Sequence, residues 1–308
     1  MNFLVVGLGI QGNKRLKTLN KYIYKTVDPF NKKANFKTIT EAVSRSKINF
    51  DSAIICTPDN NKYQLILDCL KYNMNILVEK PLFFLDKKKF KKIETLANRK
   101  KLLIYTAYNH RFEKFIIKSK EIIKSNILGK LYFCNMFYGN GTAKLVRKSE
   151  WKDSKNGVIF DLGSHLLDLI DYFFKIKSKE IKKKISFSFE NKTPDYAFLN
   201  YSNKGMNINL EVTYCMWENS FKFELIGEKG SLQMYNFCKW GRSELIIQKR
   251  IFPSGKPIKK KFITVEKDKT WNVELKYFIN QIKQKKLTNL SKDYWIYNQL
   301  NKINHEKR

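Results

Sequence analysis

The N-terminal third of the chain alternates between short apolar runs and longer segments with apolar residues at helical spacing. Residues 2–6 are apolar apart from the first, as expected for a parallel strand buried on both faces. A helical pattern follows, with Leu16, Leu19 and Ile23 at helical spacing. Further strands are predicted over 24–27, 51–56, 76–78 and 102–105, and further helices over 60–73 and 86–99. The alternation predicts an α/β Rossmann domain with a doubly wound parallel sheet, over residues 1–120.

The pattern changes in the remainder of the chain. Residues 130–138 alternate enough to form a strand, and residues 161–174 form a helix with one apolar face. Later strands are predicted over 184–190, 196–202, 206–217, 220–227, 231–235 and 243–248, before helices over 270–285 and 291–304. Successive strands joined by short turns predict an α+β domain with a large, mainly antiparallel open sheet over 121–308.

The first strand runs directly into the sequence Gly7-Leu8-Gly9-Ile10-Gln11-Gly12, a GxGxxG turn that opens a helix. In this context the three glycines allow a tight turn, close approach of a pyrophosphate and close helix packing. Asp28 ends the second strand, about 20 residues further on, where a carboxylate can bond the ribose hydroxyls and repel a 2′-phosphate. These residues predict NAD as cofactor, while Lys32 and Lys33 keep NADP open as an alternative.

Composition narrows the class of protein. The 308 residues include 60 Lys and Arg against 28 acidic residues, a net charge of +32. Because the excess is spread along the whole chain without a recognisable nucleic-acid-binding module, it favours a solvated basic surface over nucleic-acid binding. Five cysteines without a CxxC pair predict a reducing, cytoplasmic location, and the three scattered histidines predict no metal site. No apolar run approaches the roughly 20 residues of a membrane helix, and the first residues do not resemble a signal peptide.

Four further motifs follow in order: Thr57-Pro58 after a strand, Glu79-Lys80-Pro81-Leu82, the segment 109–112 (NHRF) and the segment 161–168 (DLGSHLLD). With the glycine turn, this set resembles the Gfo/Idh/MocA family, the group of glucose-fructose oxidoreductase and inositol dehydrogenase. The resemblance covers residues 1–235. Two positions depart from it, because Lys62 and Arg15 stand where the family often has histidines, which puts local cofactor contacts in doubt.

The resemblance implies a catalytic set of Lys80, Asp161 and His165. These residue types suit hydride transfer from a secondary alcohol, since an imidazole can accept the hydroxyl proton near neutral pH. A spacing of four places Asp161 and His165 on one helix face, where the carboxylate can orient the ring. Lys80 supplies a cation beside the developing alkoxide. The alternatives are a surface lysine at position 80 and a core histidine at position 165, while Asp168 is interpreted as structural.

The predicted binding residues fall into two sets. The cofactor set is Gly7, Gly9, Ile10, Gln11, Gly12, Asp28, Thr57, Pro58, Glu79 and Lys80. The substrate set is Asn109, Arg111, Lys144, Arg147 and Trp151. The last three lie in the loop 142–151, which is interpreted either as a solvated loop or as a lid that meets a phosphate or carboxylate.

The sequence therefore predicts an NAD(P)-dependent dehydrogenase that acts on a ring hydroxyl of a sugar, sugar acid, nucleotide sugar or cyclitol. The resemblance also implies a homodimer or homotetramer. Two alternatives remain open: a catalytically silent dinucleotide-binding regulator of the same fold, and a nucleic-acid binder that uses the positive charge.

Overall fold

The computed structural model describes residues 1–84, 86–149, 153, 157–175 and 182–305. The chain divides into two compact units. The first contains Met1–Asn109 and Trp271–Tyr297, and the second contains His110–Thr270 and the C-terminal residues from Asn298. This division differs from the predicted one at residue 120, because the chain returns to the first unit near its C-terminal end.

The first unit is built on a five-stranded parallel sheet with strand order β2-β1-β3-β4-β5. The strands are β1 (Asn2–Val6), β2 (Ile23–Val27), β3 (Ser52–Ile55), β4 (Asn75–Glu79) and β5 (Ile104–Ala107). Strand β3 is buried along its whole length, and β1 and β4 are buried from their second residue. The predicted doubly wound parallel sheet is confirmed.

Four helices connect these strands: α1 (Ile10–Thr18), α2 (Ile39–Arg45), α3 (Asp59–Lys71) and α4 (Lys88–Arg99). Helix α2 was not predicted. Its N-terminus resembles a capping box. Thr38 Oγ1 accepts from the Glu41 backbone N–H at 3.0 Å, and Glu41 Oε2 accepts from the N–H of Lys37, the residue before the N-cap, at 2.8 Å. The signal was therefore present in the sequence Thr38-Ile39-Thr40-Glu41.

Helix α8 (Thr270–Lys283) completes the core of the first unit. Its residues Leu275, Phe278 and Ile279 pack into one cluster with Phe3 and Val5 of β1. Because the helix shows only an apolar stripe in sequence, the sequence predicts the helix without indicating which core it covers.

The second unit is built on an eight-stranded sheet with order β13-β12-β11-β10-β6-β9-β8-β7. The strands are β6 (Leu131–Gly139), β7 (Lys183–Phe187), β8 (Tyr196–Asn203), β9 (Met206–Thr213), β10 (Ser220–Gly227), β11 (Gly230–Tyr235), β12 (Ser243–Ile251) and β13 (Gly255–Thr264). All neighbours pair antiparallel except β6 and β9. The predicted mainly antiparallel sheet is confirmed, although β13 was not predicted.

The helices of the second unit are α5 (Lys114–Lys124), α6 (Ala143–Arg147) and α7 (Ser164–Phe174), and α9 (Ser291–His305) ends the described chain. Helix α5 was not predicted, and α6 lies in the predicted loop 142–151. Helix α7 packs on the sheet, where the rings of Phe173 and Phe223 stack with centroids 5.0 Å apart. Within the described ranges, none of the helices has the length and apolar character required to cross a membrane.

Candidate functional site

The glycine turn at the end of β1 has the geometry that a pyrophosphate requires. Gly7 has a φ of +93°, a backbone angle that residues with a side chain rarely adopt. A Cβ at Gly12 would lie 1.9 Å from the carbonyl oxygen of Gly7, so helix α1 can pack this close only with glycine there. A Cβ at Gly9 would meet no atom within 4 Å, so the backbone faces open space. Ile10 and Gln11 begin α1 with exposed side chains.

Asp28, at the end of β2, braces this turn. Its Oδ2 accepts from the Leu8 N–H at 2.8 Å, and its Oδ1 accepts from the N–H groups of Phe30 and Asn31 at 2.9 and 3.0 Å. Burial opposes ionisation, but the three backbone N–H groups together lower the pKa of Asp28 below its usual value. The carboxylate is thus an anion fixed beside the glycine turn, and its contact with a ribose stays a prediction.

The hydroxyl of Thr57, at the carboxyl end of β3, indicates whether a cofactor fits there. Thr57 and Pro58 follow β3, and the Thr57 Oγ1 is buried without a hydrogen-bond partner among the described residues. A buried hydroxyl usually has a partner. Together with the open backbone at Gly9, this group fits a polar ligand at the carboxyl ends of the strands, where dinucleotides bind in such folds.

Lys62 on α3 holds the segment that contains Lys80. It is only 2% exposed. Its Nζ donates to Asp59 Oδ1 at 2.7 Å, to the Glu79 carbonyl at 2.7 Å and to the Pro81 carbonyl at 3.1 Å. The ammonium thus bonds the backbone on either side of Lys80, whose own side chain is half-buried. Lys62 was noted in the sequence only as a departure from the family, because nothing in the sequence shows these partners.

Arg15 on α1 forms an ion pair with Glu79, the residue that precedes Lys80. Its guanidinium contacts Glu79 Oε1 and Glu274 Oε2 at 2.7 and 2.8 Å and stacks over Trp271 at 4.2 Å. Burial disfavours the charge, but the two carboxylates raise the pKa of Arg15 above its ordinary value. The Glu79 carboxylate, predicted to bind cofactor, is therefore engaged by Arg15, and that cofactor contact stays a prediction.

Asp161 and His165 lie in the second unit at an irregular helix start. A π-helical turn, Ile159–Gly163, precedes α7, so the predicted single helix over 161–174 is wrong at its first turn. The wider turn shifts the side chains relative to regular α spacing. Tyr214 donates its hydroxyl hydrogen to Asp161 Oδ2 at 3.3 Å. Burial, and then Asp161, raise the pKa of Tyr214 well above its usual value.

The imidazole of His165 is enclosed by aromatic rings of the same unit. It stacks on His110 with centroids 4.0 Å apart and lies near Tyr138. His110 Nε2 is 2.9 Å from Lys239 Nζ. Because an ammonium can only donate, the contact fits a His110 ring with its lone pair on Nε2. Lys239 and Tyr214 could not be linked to His165 from sequence, because they come from distant elements. His110 lies within the NHRF motif but was not among the predicted site residues.

The predicted substrate residues have different surroundings. Asn109 is buried in the first unit. Arg111 forms a two-pronged ion pair with Asp168, with contacts of 2.5 and 2.7 Å. The structural role interpreted for Asp168 stays a prediction. Arg147 lines an open cavity of about 690 Å³, and Lys144 is exposed on the same short helix. Trp151 lies outside the described residues.

The first unit is thus a dinucleotide-binding Rossmann domain, and the second carries an acid and a histidine at a helix start on an open sheet. Residues 1–108 match the model of the oxidoreductase family with an NAD-binding Rossmann fold, and residues 116–233 match the GFO/IDH/MocA C-terminal domain. The chain belongs to the Gfo/Idh/MocA family of oxidoreductases, which confirms the resemblance and the NAD-binding assignment.

The individual relatives share only limited sequence identity with this chain. An uncharacterized oxidoreductase of Schizosaccharomyces pombe is 32% identical over 123 residues, 39% of this chain and 32% of the relative. The glucose-6-phosphate 3-dehydrogenase of Bacillus subtilis is 22% identical over 63% of this chain and 59% of its own length. The matches thus span less than two thirds of these relatives.

A solved structure, the UDP-N-acetylglucosamine 3-dehydrogenase of Acidithiobacillus ferrooxidans, superposes with a TM-score of 0.79 at 14% identity. It covers 99% of this chain and 96% of that one. At this identity the superposition shows the shared fold.

Proposed function

We propose that the protein is an NAD-dependent dehydrogenase that oxidises a ring secondary alcohol of a carbohydrate, or reduces the corresponding ketone. The observation that carries the proposal is the enclosed imidazole of His165 beside a π-helical turn that holds Asp161, in a chain that retains Lys80 after β4. A π-helical turn within a helix often marks a functional site.

The chemistry divides between cofactor and protein. The nicotinamide supplies the hydride acceptor when NAD is bound. His165 takes the hydroxyl proton, and its stacking on His110 fixes the plane of the ring. Asp161 stabilises the positive charge that His165 gains, while Tyr214 fixes the carboxylate through its hydroxyl. Lys80 stabilises the negative charge on the substrate oxygen, and Lys62 holds the backbone on which Lys80 is carried.

The relatives support a carbohydrate as substrate class. Two of them are named for dehydrogenation at position 3 of glucose 6-phosphate and of UDP-N-acetylglucosamine. Arg147 and Lys192 line an open cavity that two carboxylates, Asp153 and Glu190, also line. The guanidinium of Arg147 is the group there that suits a phosphate or carboxylate on the sugar. We propose Arg147 and Lys144 as contacts for such an anion.

The test begins with separate titrations of the protein with NADH and with NADPH. Binding is monitored by fluorescence and by the melting temperature. Tight NADH binding justifies a screen of sugar phosphates, nucleotide sugars and cyclitols for NADH formation. Lys80→Met and His165→Asn should each lower kcat/KM by about 100-fold or more while NADH still binds. Lys91→Met, an exposed lysine on α4, is the matched control and should leave turnover unchanged.

Two outcomes would reject the proposal. If neither nucleotide binds, the cofactor assignment fails for this chain. If NADH binds but no substrate of these classes is turned over, the catalytically silent regulator becomes the better account.

We also propose a cytoplasmic homodimer or homotetramer that associates through the outer face of the eight-stranded sheet. Exposed aromatic side chains on its strands support this, including Phe133, Phe187 and Tyr235. Light scattering at micromolar concentration should give twice or four times the mass of one chain. A monomer there would reject the assembly.

A further inference from the structure

Three side chains of metal-binding type, none of them assigned to catalysis, converge in the second unit. Glu113 immediately precedes α5, Cys238 begins a short 3-10 turn after β11, and Asp268 lies two residues before α8. One ligand atom from each lies within 4.8 Å of the others. Because these residues are far apart in the sequence, no spacing motif identifies them, and the sequence predicted no metal site.

Two of the three side chains, Glu113 and Asp268, are already oriented by hydrogen bonds. The Cys238 N–H donates to Glu113 Oε2 at 3.2 Å. The backbone N–H and the hydroxyl of Thr270 donate to Asp268 Oδ1 at 2.8 and 2.6 Å. In known metal sites, hydrogen bonds of this kind hold one oxygen of a carboxylate, so that the other oxygen faces the metal.

The second carboxylate oxygen of Glu113 is the evidence that a ligand binds here. Glu113 is 2% exposed, and its Oε1 is buried with no hydrogen-bond partner among the described residues. A buried carboxylate oxygen without a partner is unfavourable, and a cation would satisfy it. Two carboxylates and a thiol in one cluster also contrast with a chain whose net charge is +32.

We propose that Glu113, Cys238 and Asp268 form a binding site for a divalent cation of the zinc class. A thiolate with two carboxylates suits Zn²⁺, and a thiolate selects against Mg²⁺ and Ca²⁺, which prefer oxygen ligands throughout. The bound ion ties together the start of α5, the end of β11 and the segment before α8. This role is structural and does not depend on the proposed dehydrogenase activity.

The competing account uses the same atoms without a cation. Burial, and then a hydrogen bond from the thiol to Glu113, raise the pKa of Cys238 to about 12. In that account the cluster is a neutral thiol bonded to a carboxylate, and added metal changes nothing.

Titration of the untagged full-length protein with Co²⁺ separates the two accounts. A thiolate ligand gives a charge-transfer band in the near ultraviolet, which should saturate at one ion per chain. The band should disappear in Cys238→Ser, weaken about tenfold or more in Glu113→Gln, and persist in Cys215→Ser. Cys215 is the control because it is a free, half-buried cysteine of the same unit.

A second measurement needs no variant, which matters if Cys238→Ser fails to fold. Alkylation of the native protein, mapped by mass spectrometry with and without Zn²⁺, should show protection at Cys238 and no change at Cys215. The absence of a Co²⁺ band in the wild type, or a band that survives Cys238→Ser, overturns the site. Equal alkylation of Cys238 with and without Zn²⁺ overturns it as well.

Discussion

Replacing Lys62 with methionine tests a deeply buried charge in the candidate cofactor site. The methionine side chain is of similar length and is apolar, so the change removes the ammonium while leaving little cavity. It breaks the ion pair with Asp59, which is 9% exposed, and removes one donor from the carbonyls of Glu79 and Pro81.

The magnitude follows from what remains buried. Breaking a buried ion pair by removing one partner costs about 3–5 kcal/mol, because the other charge is left uncompensated. For a unit of this size, 1 kcal/mol corresponds to roughly 2–4 °C of melting temperature, so we expect a decrease of about 6–20 °C. Removing both charges should recover much of the loss, because the unpaired anion causes most of it.

The assay compares three variants with the wild type by thermal unfolding, with and without NADH. Lys62→Met should melt about 6–20 °C lower, and Lys62→Met combined with Asp59→Asn should recover at least half of that difference. Lys71→Met is the matched control, an exposed lysine on the same helix, and should stay within about 2 °C of wild type. A melting temperature for Lys62→Met equal to that of Lys71→Met would refute the reasoning.

Four further substitutions test other parts of the two units. Gly12→Ala should lower stability, because its Cβ would lie 1.9 Å from a backbone oxygen, whereas Gly9→Ala should melt normally yet bind NADH more weakly; NADH titration with thermal unfolding distinguishes them. The pKa of Asp28 is lowered in the folded state, so its charge stabilises the fold above the unfolded pKa of about 4 and this contribution is lost as pH falls further; the difference in urea midpoint between wild type and Asp28→Asn should shrink below about pH 4. Arg111→Met should reduce stability by about 3–5 kcal/mol in urea unfolding, because it breaks the ion pair with Asp168, which is 1% exposed; a raised KM with unchanged stability would instead support the predicted substrate role.

The first unit was predictable from sequence because its chemistry is local. A parallel strand covered on both faces requires consecutive apolar residues, and a phosphate-binding turn requires glycines at fixed spacing. Both requirements are met by adjacent residues, such as Leu4–Val6 with 0–3% exposure and Gly7 with φ +93°. Pattern and structure therefore agree on strands and turn.

Elements with weaker local signals were missed for identifiable reasons. Strand β13 has the sequence GKPIKKKFIT and is mostly exposed, because it lies at the sheet edge, where lysines are common and the apolar alternation disappears. Helix α5 did carry a signal, since Phe115, Ser119 and Ile122 are buried at helical spacing. The π-helical turn before α7 has no sequence rule that distinguishes it from regular α-helix, so the relation between Asp161 and His165 could not be predicted.

Side-chain partners across the fold were the least predictable feature, and the two departures from the family show why. Arg15 and Lys62 looked like independent substitutions that weaken local cofactor contacts. In the structure both bind Glu79, Arg15 through the carboxylate and Lys62 through the carbonyl. Each has a further carboxylate, Glu274 for Arg15 and Asp59 for Lys62, so each buried cation is matched by its own buried anion. Because both act on the residue that precedes Lys80, the two positions are coupled, and restoring a histidine at one of them alone would leave its anion unmatched.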